Sequence, residues 1–310
     1  MIEQAIVIKS TGSWYWVRNG NKVVQCKIKG KFRQDKALYT NPVVVGDYVD
    51  YEMETNDIVG VISKIHDRRN FIVRKSTNLS RQAHVIAANV DQAVLVVTLA
   101  FPQTYIIFVD RYLLTVESYS IKPIIVFNKV DLYNEPLIAQ MQEWKSIYEN
   151  IGYTCIETSV AQNLNLDLLY NTLANKVSVI SGISGVGKSS IINALVPDLN
   201  LKTGMISDYH LKGKHTTTFS EMFELPNGGA IIDTPGIKAF GIIDVKEDKQ
   251  LSHYFPEMFA LSGNCQYYNC SHTHEPNCAV KKGVADGAIS ESRYNSYLAI
   301  LFDENDKYRK

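Results

Sequence analysis

Two hydrophobic patterns divide the chain. Over residues 1–74, apolar and polar positions alternate in short segments separated by glycine and asparagine turns: Ala5-Ile6-Val7-Ile8, Trp14-Tyr15-Trp16-Val17, Val23-Val24-Gln25-Cys26-Lys27-Ile28 and Tyr48-Val49-Asp50-Tyr51. This texture predicts a small antiparallel barrel. Trp14 and Trp16 share one strand face by their period of two, and that face is expected to be buried in the barrel. Beyond it the runs change character. Pro123-Ile124-Ile125-Val126-Phe127, Val177-Ser178-Val179-Ile180 and Ala230-Ile231-Ile232 read as strands of an α/β domain, and Ile191, Ile192 and Leu195 mark the apolar side of a helix following the second of them. Near the C-terminus, Tyr294, Tyr297, Leu298, Leu301 and Phe302 recur at i, i+3, i+4, i+7 and i+8, which predicts an amphipathic helix with its aromatics in a core.

Each of the three strands runs into a polar box. After the second comes Gly182-Ile183-Ser184-Gly185-Val186-Gly187-Lys188-Ser189, a full match to G-x-x-x-x-G-K-[ST] between strand and helix. Such a loop cradles phosphates with backbone N–H groups at a helix N-terminus; Lys188 reaches the β- and γ-phosphates and Ser189 offers a hydroxyl to Mg²⁺. Asn128-Lys129-Val130-Asp131 follows the first strand, at the carboxyl end where α/β folds bind ligands. The Asp131 carboxylate can accept from both N1–H and the exocyclic amine of guanine, an arrangement adenine does not offer. Asp233-Thr234-Pro235-Gly236 follows the third, with the Asp233 carboxylate assigned to Mg²⁺ and the Gly236 N–H to the γ-phosphate.

The order of these boxes is unusual. In a Ras-like GTPase the phosphate loop comes first and the NKxD box last; here NKxD precedes the phosphate loop, which predicts a circular permutation of the same pocket. Ile237 stands where Ras-like enzymes carry a water-orienting glutamine, so intrinsic hydrolysis should be slow. Lys212-Gly213-Lys214-His215-Thr216-Thr217-Thr218 lies where a switch loop belongs. Thr217 is the expected third protein ligand to Mg²⁺, and His215 is a candidate to orient water.

Five cysteines are present, three of them within residues 265–278. Cys265-x4-Cys270-x-His272-x5-Cys278 supplies three thiolates and an imidazole, the ligand set of a structural zinc site, with His274 as a second imidazole nearby. Cys26 and Cys155 lie in strand-like surroundings and read as core. Formal net charge is zero, but Lys27, Lys29, Lys31, Arg33 and Lys36 form one basic patch and Lys64, Arg68, Arg69, Arg74, Lys75 and Arg81 another. No apolar run approaches membrane-span length and the start lacks the basic region of a signal peptide, so a cytoplasmic enzyme is expected.

Val43-Val44-Val45-Gly46-Asp47, Asp110-Arg111-Tyr112-Leu113, Gly182 to Ser190, Gly213 to Thr218, Asp233 to Gly236 and the cysteine cluster together resemble the ribosome-small-subunit-dependent GTPase family, RsgA, also called YjeQ. The resemblance spans nearly the whole chain. It implies an OB-fold RNA-binding domain over 1–74, a linker over 75–84, a permuted Ras-like GTPase domain over 85–243 and a zinc-bearing, mainly helical domain over 244–310. It assigns His272 as the fourth zinc ligand, adds Ser190 to the phosphate site and places Ser159-Val160 where a Ser-Ala loop contacts the guanine carbonyl. It further implies GTP-dependent binding to the small ribosomal subunit and its rRNA during late subunit maturation; a monomer is the simplest expectation for such a protein.

Overall fold

The computed structural model describes residues 2–29, 42–54, 58–75, 83–196, 199, 220–233 and 250–307. Five strands, β1 (Glu3–Ser10), β2 (Tyr15–Asn19), β3 (Lys22–Ile28), β4 (Tyr48–Met53) and β5 (Gly60–Ile65), form the N-terminal unit. They pair in the closed cycle β1-β2-β3-β5-β4-β1, with β3 and β5 parallel, the closure expected of an OB-type barrel. Val7, Tyr15, Val17, Val24, Cys26, Val49, Tyr51 and Ile62 fill its interior.

The tryptophans depart from expectation. Tyr15 and Val17 point inward, so Trp14 and Trp16, on the opposite face of the same strand, are only half-buried. Two tyrosines already occupy the small interior, and the indoles are covered from outside by cations: Lys27 Nζ lies 5.0 Å from the Trp14 ring centroid and Lys9 Nζ 5.7 Å from that of Trp16. In the second basic patch, Lys64 and Arg69 are exposed and Arg68 is half-buried. Arg68 donates to both oxygens of the fully buried Asp47, at 2.7 Å each, while Arg69 pairs with Asp91 at 2.8 Å. Lys31, Arg33, Lys36 and Arg81 lie outside the described residues.

Leaving the barrel, the chain forms β6 (Phe71–Lys75), which pairs antiparallel with β7 (Ala83–Ala88). The strands bordering the segment read as a linker therefore bind each other, and Ala88 N donates to Val45 O, which returns β7 to the barrel. Next come β8 (Gln92–Val97), α1 (Ile106–Ser118), β9 (Lys122–Asn128), α2 (Glu135–Ile151), β10 (Thr154–Thr158), α3 (Leu166–Thr172), β11 (Val177–Ser181), α4 (Lys188–Leu195), β12 (Glu221–Glu224) and β13 (Ala230–Asp233). The sheet order is β10-β9-β8-β11-β13-β12, parallel apart from β12. Buried on both faces, β8 sends Ala93, Leu95 and Val97 into the layer under α1 and α2, and Val94 and Val96 into the layer under α3 and α4.

Barrel and sheet are continuous, because β1 pairs with β12 at Lys9↔Glu221. The side chains of Lys9 and Glu221 also pair, at 3.0 Å, and Arg18 pairs with Glu224. The C-terminal region comprises a 3-10 turn at Leu251–Tyr254, α5 (Pro256–Ser262), α6 (Ala279–Ala285) and α7 (Glu291–Lys307). In α7, Arg293, Ser296, Tyr297 and Ile300 are buried. Phe302, expected in the core, is instead 56% exposed: the buried stripe follows positions 293, 296, 297 and 300, and Phe302 falls off it.

Candidate nucleotide site and metal centre

The phosphate loop leaves β11 at the centre of the sheet, and the NKxD segment leaves β9 two strands away, both at the carboxyl edge. Two glycines are required by close approach. Gly182, at φ 147°, would carry a Cβ 2.4 Å from Val96 O, and Gly187, at φ 99°, a Cβ 2.4 Å from Asn128 Nδ2. Ser184 and Gly185 stand exposed at the apex, Ile183 packs on the core beneath α4, and Ser189 and Ser190 occupy the first turn of α4. Lys188 Nζ donates to Gly182 O and Ile183 O, each at 2.8 Å, which folds the amine over the loop.

The base box is built against that loop by hydrogen bonds. Asn128 Nδ2 donates to Val186 O at 2.8 Å and Asn128 Oδ1 accepts from Thr158 Oγ1 at 3.0 Å, so one amide joins the ends of β9 and β10 to the phosphate loop. Lys129, in left-handed backbone at φ 61°, donates from Nζ to Gly185 O at 2.7 Å and to Phe101 O at 2.8 Å. Ser159 Oγ donates to the Asp131 carboxylate and accepts from Gln162 N, and the neighbouring Val160 packs on the apolar layer under α4. The structure thus gathers Asn128, Lys129, Asp131, Ser159 and the phosphate loop. Asp233 ends β13 beside β11, and its backbone pairs with Ile180; its side chain, with His215, Thr217 and Gly236, lies outside the described residues.

The cysteine cluster is compact. The ligand atoms of Cys265, Cys270, His272 and Cys278 all lie within 4.8 Å of one another and could hold a metal ion. His272 Nδ1 is 3.4 Å from Cys278 Sγ and 3.7 Å from Cys265 Sγ, and those two sulfurs are 4.0 Å apart. His274, two residues on, is exposed and contacts Thr273 Oγ1. His272 takes left-handed backbone at φ 59°, and the hydroxyls of Tyr294 and Tyr297 donate to His272 O and Ser271 O, tying the knuckle to α7. Burial holds the His272 imidazole below its ordinary value, which keeps a nitrogen lone pair available.

Residues 65–243 match the family model described as RsgA GTPase, and residues 4–62 match the RsgA N-terminal domain. The chain belongs to the RsgA GTPase family. Among its RsgA relatives, the "Small ribosomal subunit biogenesis GTPase RsgA" of Phocaeicola vulgatus is 50% identical over 308 residues, covering 99% of each chain. A protein of the same name from Flavobacterium psychrophilum is 49% identical over 98% of this chain and 94% of its own. Two crystal structures are similar throughout. YjeQ from Thermotoga maritima superposes with a TM-score of 0.80 at 32% identity over 98% of both chains, and YloQ, described as a circularly permuted GTPase, with 0.77 at 32% over 99% of this chain and 96% of that one.

Sequence reasoning missed the ion cluster joining this RsgA member's C-terminal helices to its sheet domain. Arg293, fully buried in α7, donates to Asp110 of α1 at 2.8 Å and to Glu257 of α5 at 2.7 Å; Tyr148 of α2 also donates to Asp110 at 2.8 Å. An available signal was an arginine at a position belonging to the apolar stripe of α7.

Proposed function

We propose that this protein is a GTP hydrolase acting in small-ribosomal-subunit biogenesis, binding subunit rRNA in its GTP state and leaving after hydrolysis. Membership of the family and the names of its full-length relatives support the activity and the subunit. The observation that carries the ligand is the bracing of Asn128, Lys129 and Asp131 against the phosphate loop through Val186 O, Gly185 O and Ser159. A carboxylate held by a serine at the end of a parallel strand suits the paired donors of guanine.

In this reading the Gly182–Ser190 loop cradles the phosphates, Lys188 neutralises charge developing on the β- and γ-oxygens, and Gly236 N–H contacts the γ-phosphate. Ser189, Thr217 and Asp233 hold Mg²⁺, and His215 orients the attacking water in place of a glutamine at Ile237. Val160 adds its backbone to guanine recognition. The barrel binds rRNA. The protein acts as a monomer in the cytoplasm; no helix among the described residues is long and apolar enough to cross a membrane.

The metal is zinc. A tetrahedral ion at roughly 2.3 Å from sulfur and 2.0 Å from nitrogen separates two sulfurs by about 3.8 Å and sulfur from nitrogen by about 3.5 Å. The observed 4.0, 3.7 and 3.4 Å are close to this, and three thiols with one imidazole leave no open position for chemistry. Its role is structural.

The deciding experiment is GTP turnover alone and with purified small or large ribosomal subunits at matched salt, since rRNA contacts are salt-sensitive. Strong stimulation by the small subunit only is expected. Stimulation by the large subunit, or by neither while GTP still binds, would turn the reading toward another RNA or a GTP-regulated scaffold. His215→Ala should keep GTP binding and lose about a hundredfold of the stimulated rate, read by single-turnover hydrolysis; an unchanged rate would remove His215 from the mechanism.

A further inference from the structure

We infer that Tyr133 is a positioning residue for guanine recognition: its hydroxyl ties the main chain of Asn128 to that of Leu99 and thereby fixes the NKxD segment against the phosphate loop. The proposal rests on the guanine-nucleotide reading of this site.

Tyr133 follows the 3-10 turn Val130–Leu132 that contains Asp131, and it is buried. Its hydroxyl donates to Asn128 O at 3.0 Å and accepts from Leu99 N at 2.9 Å. Leu99 is the second residue of the loop between β8 and α1, which is braced internally: Thr104 N donates to Thr98 O at 2.8 Å and Thr98 Oγ1 to Pro102 O at 2.5 Å. The same loop supplies Phe101 O to Lys129 Nζ, and a Cβ on Gly185 would touch Pro102 Cδ at 3.4 Å.

These contacts close a ring. From Asn128 it passes through the Tyr133 hydroxyl to Leu99, along the loop to Phe101, and back through the Lys129 amine, which also holds Gly185 O of the phosphate loop. Asp131 lies within the Val130–Leu132 turn that Tyr133 pins and Lys129 immediately before it, so two hydrogen bonds made by one buried phenol support the placement that Asn128 and Lys129 take against the phosphate loop. Burial pushes that phenol up to about 12, so at neutral pH it remains the donor that Asn128 O requires. Without the hydroxyl, a buried N–H and a buried carbonyl lose their partner together, and the cheapest relief is movement of the 128–133 turn.

The test compares wild type and Tyr133→Phe, which keeps the ring in the core, by calorimetric titration with GDP and with IDP. IDP lacks the exocyclic amine whose hydrogen bond Asp131 would accept, so wild type is expected to prefer GDP. In the variant, GDP affinity should fall about tenfold and IDP affinity less, reducing the GDP/IDP ratio at least threefold. The ratio does not depend on the folded fraction, so a loss of stability alone leaves it unchanged. An unchanged ratio, whether or not both affinities fall, overturns the role of Tyr133. A wild type without preference for GDP overturns the guanine reading, and the proposal with it.

Discussion

Removing the metal from the Cys265, Cys270, His272 and Cys278 cluster is expected to unfold residues 250–307 while the parallel sheet persists. The C-terminal core is small, and its own parts cannot sustain it. Helices α5 and α6 have seven residues each, far below the length at which an isolated helix is stable in water. Cys270 and Cys278 sit inside the same apolar cluster as Phe255, Met258, Val280, Tyr297 and Ile300, so the cysteine cluster and the core are one assembly. Burial pushes the Cys270 thiol up to about 12. Without a cation the Cys270 thiol stays protonated and can only pack; a bound cation would convert the cluster's sulfurs to thiolates around a central charge. Structural zinc contributes on the order of 10 kcal/mol to domains of this kind, more than the remaining apolar contacts of so short a segment can supply. Treatment with a strong chelator should therefore separate a low-temperature transition from the main melting curve and open the C-terminal region to protease, and one equivalent of Zn²⁺ should reverse both. Cys278→Ser should behave like the chelated protein. A melting curve indifferent to chelation and to zinc would show that the cluster is four packed side chains and no metal centre.

The segments that the structure gathers at one edge are those whose chemistry is written in consecutive residues. The phosphate loop and NKxD box are short segments, each at the end of an apolar strand, and the sheet topology brings such ends to one edge whatever the order of the chain. Permutation therefore cost the reading nothing. The three thiols of the cysteine cluster were equally legible, whereas His272 and His274 are both within reach of them in sequence, and the choice of His272 came from the family resemblance.

What the sequence hid is what depends on facing. Trp14 and Trp16 alternate with Tyr15 and Val17, and either pair satisfies a half-buried strand; only closure of the barrel decides which pair enters. Arg68 reads as one of six basic residues until Asp47, 21 positions earlier, is found buried beneath it. Tyr133 joins two loops whose adjacency is a property of β8 lying beside β9. Arg293 and Asp110 are 183 positions apart, and nothing local links them.

Arg293→Met should destabilise the protein by about 3–5 kcal/mol, because it leaves Asp110 buried without its cation. The geometry makes Arg293 the common partner of three elements: α7 carries it, α1 supplies Asp110 and α5 supplies Glu257, while the guanidinium also lies 4.5 Å from the Phe255 ring centroid. Burial pushes the Asp110 carboxyl above its ordinary range, and the guanidinium opposes that shift. In the variant the opposition is gone, so the folded-state value rises further above the unfolded one. A carboxyl shifted in that sense favours the folded state where it is protonated, so the deficit relative to wild type should be smallest near the ordinary aspartate value of 3.8 and grow as pH rises above it. Asp110→Leu combined with Arg293→Met removes the charge at both ends and should recover most of the loss, as buried ion pairs replaced by apolar residues generally do. Denaturant unfolding of the two variants at several pH values measures both effects. If the single variant loses the same stability at every pH, or the double variant loses more than the single, then Arg293 acts by packing against Phe255 and the apolar stripe of α7, and the charge pair is incidental to how the C-terminal region is held on the nucleotide domain.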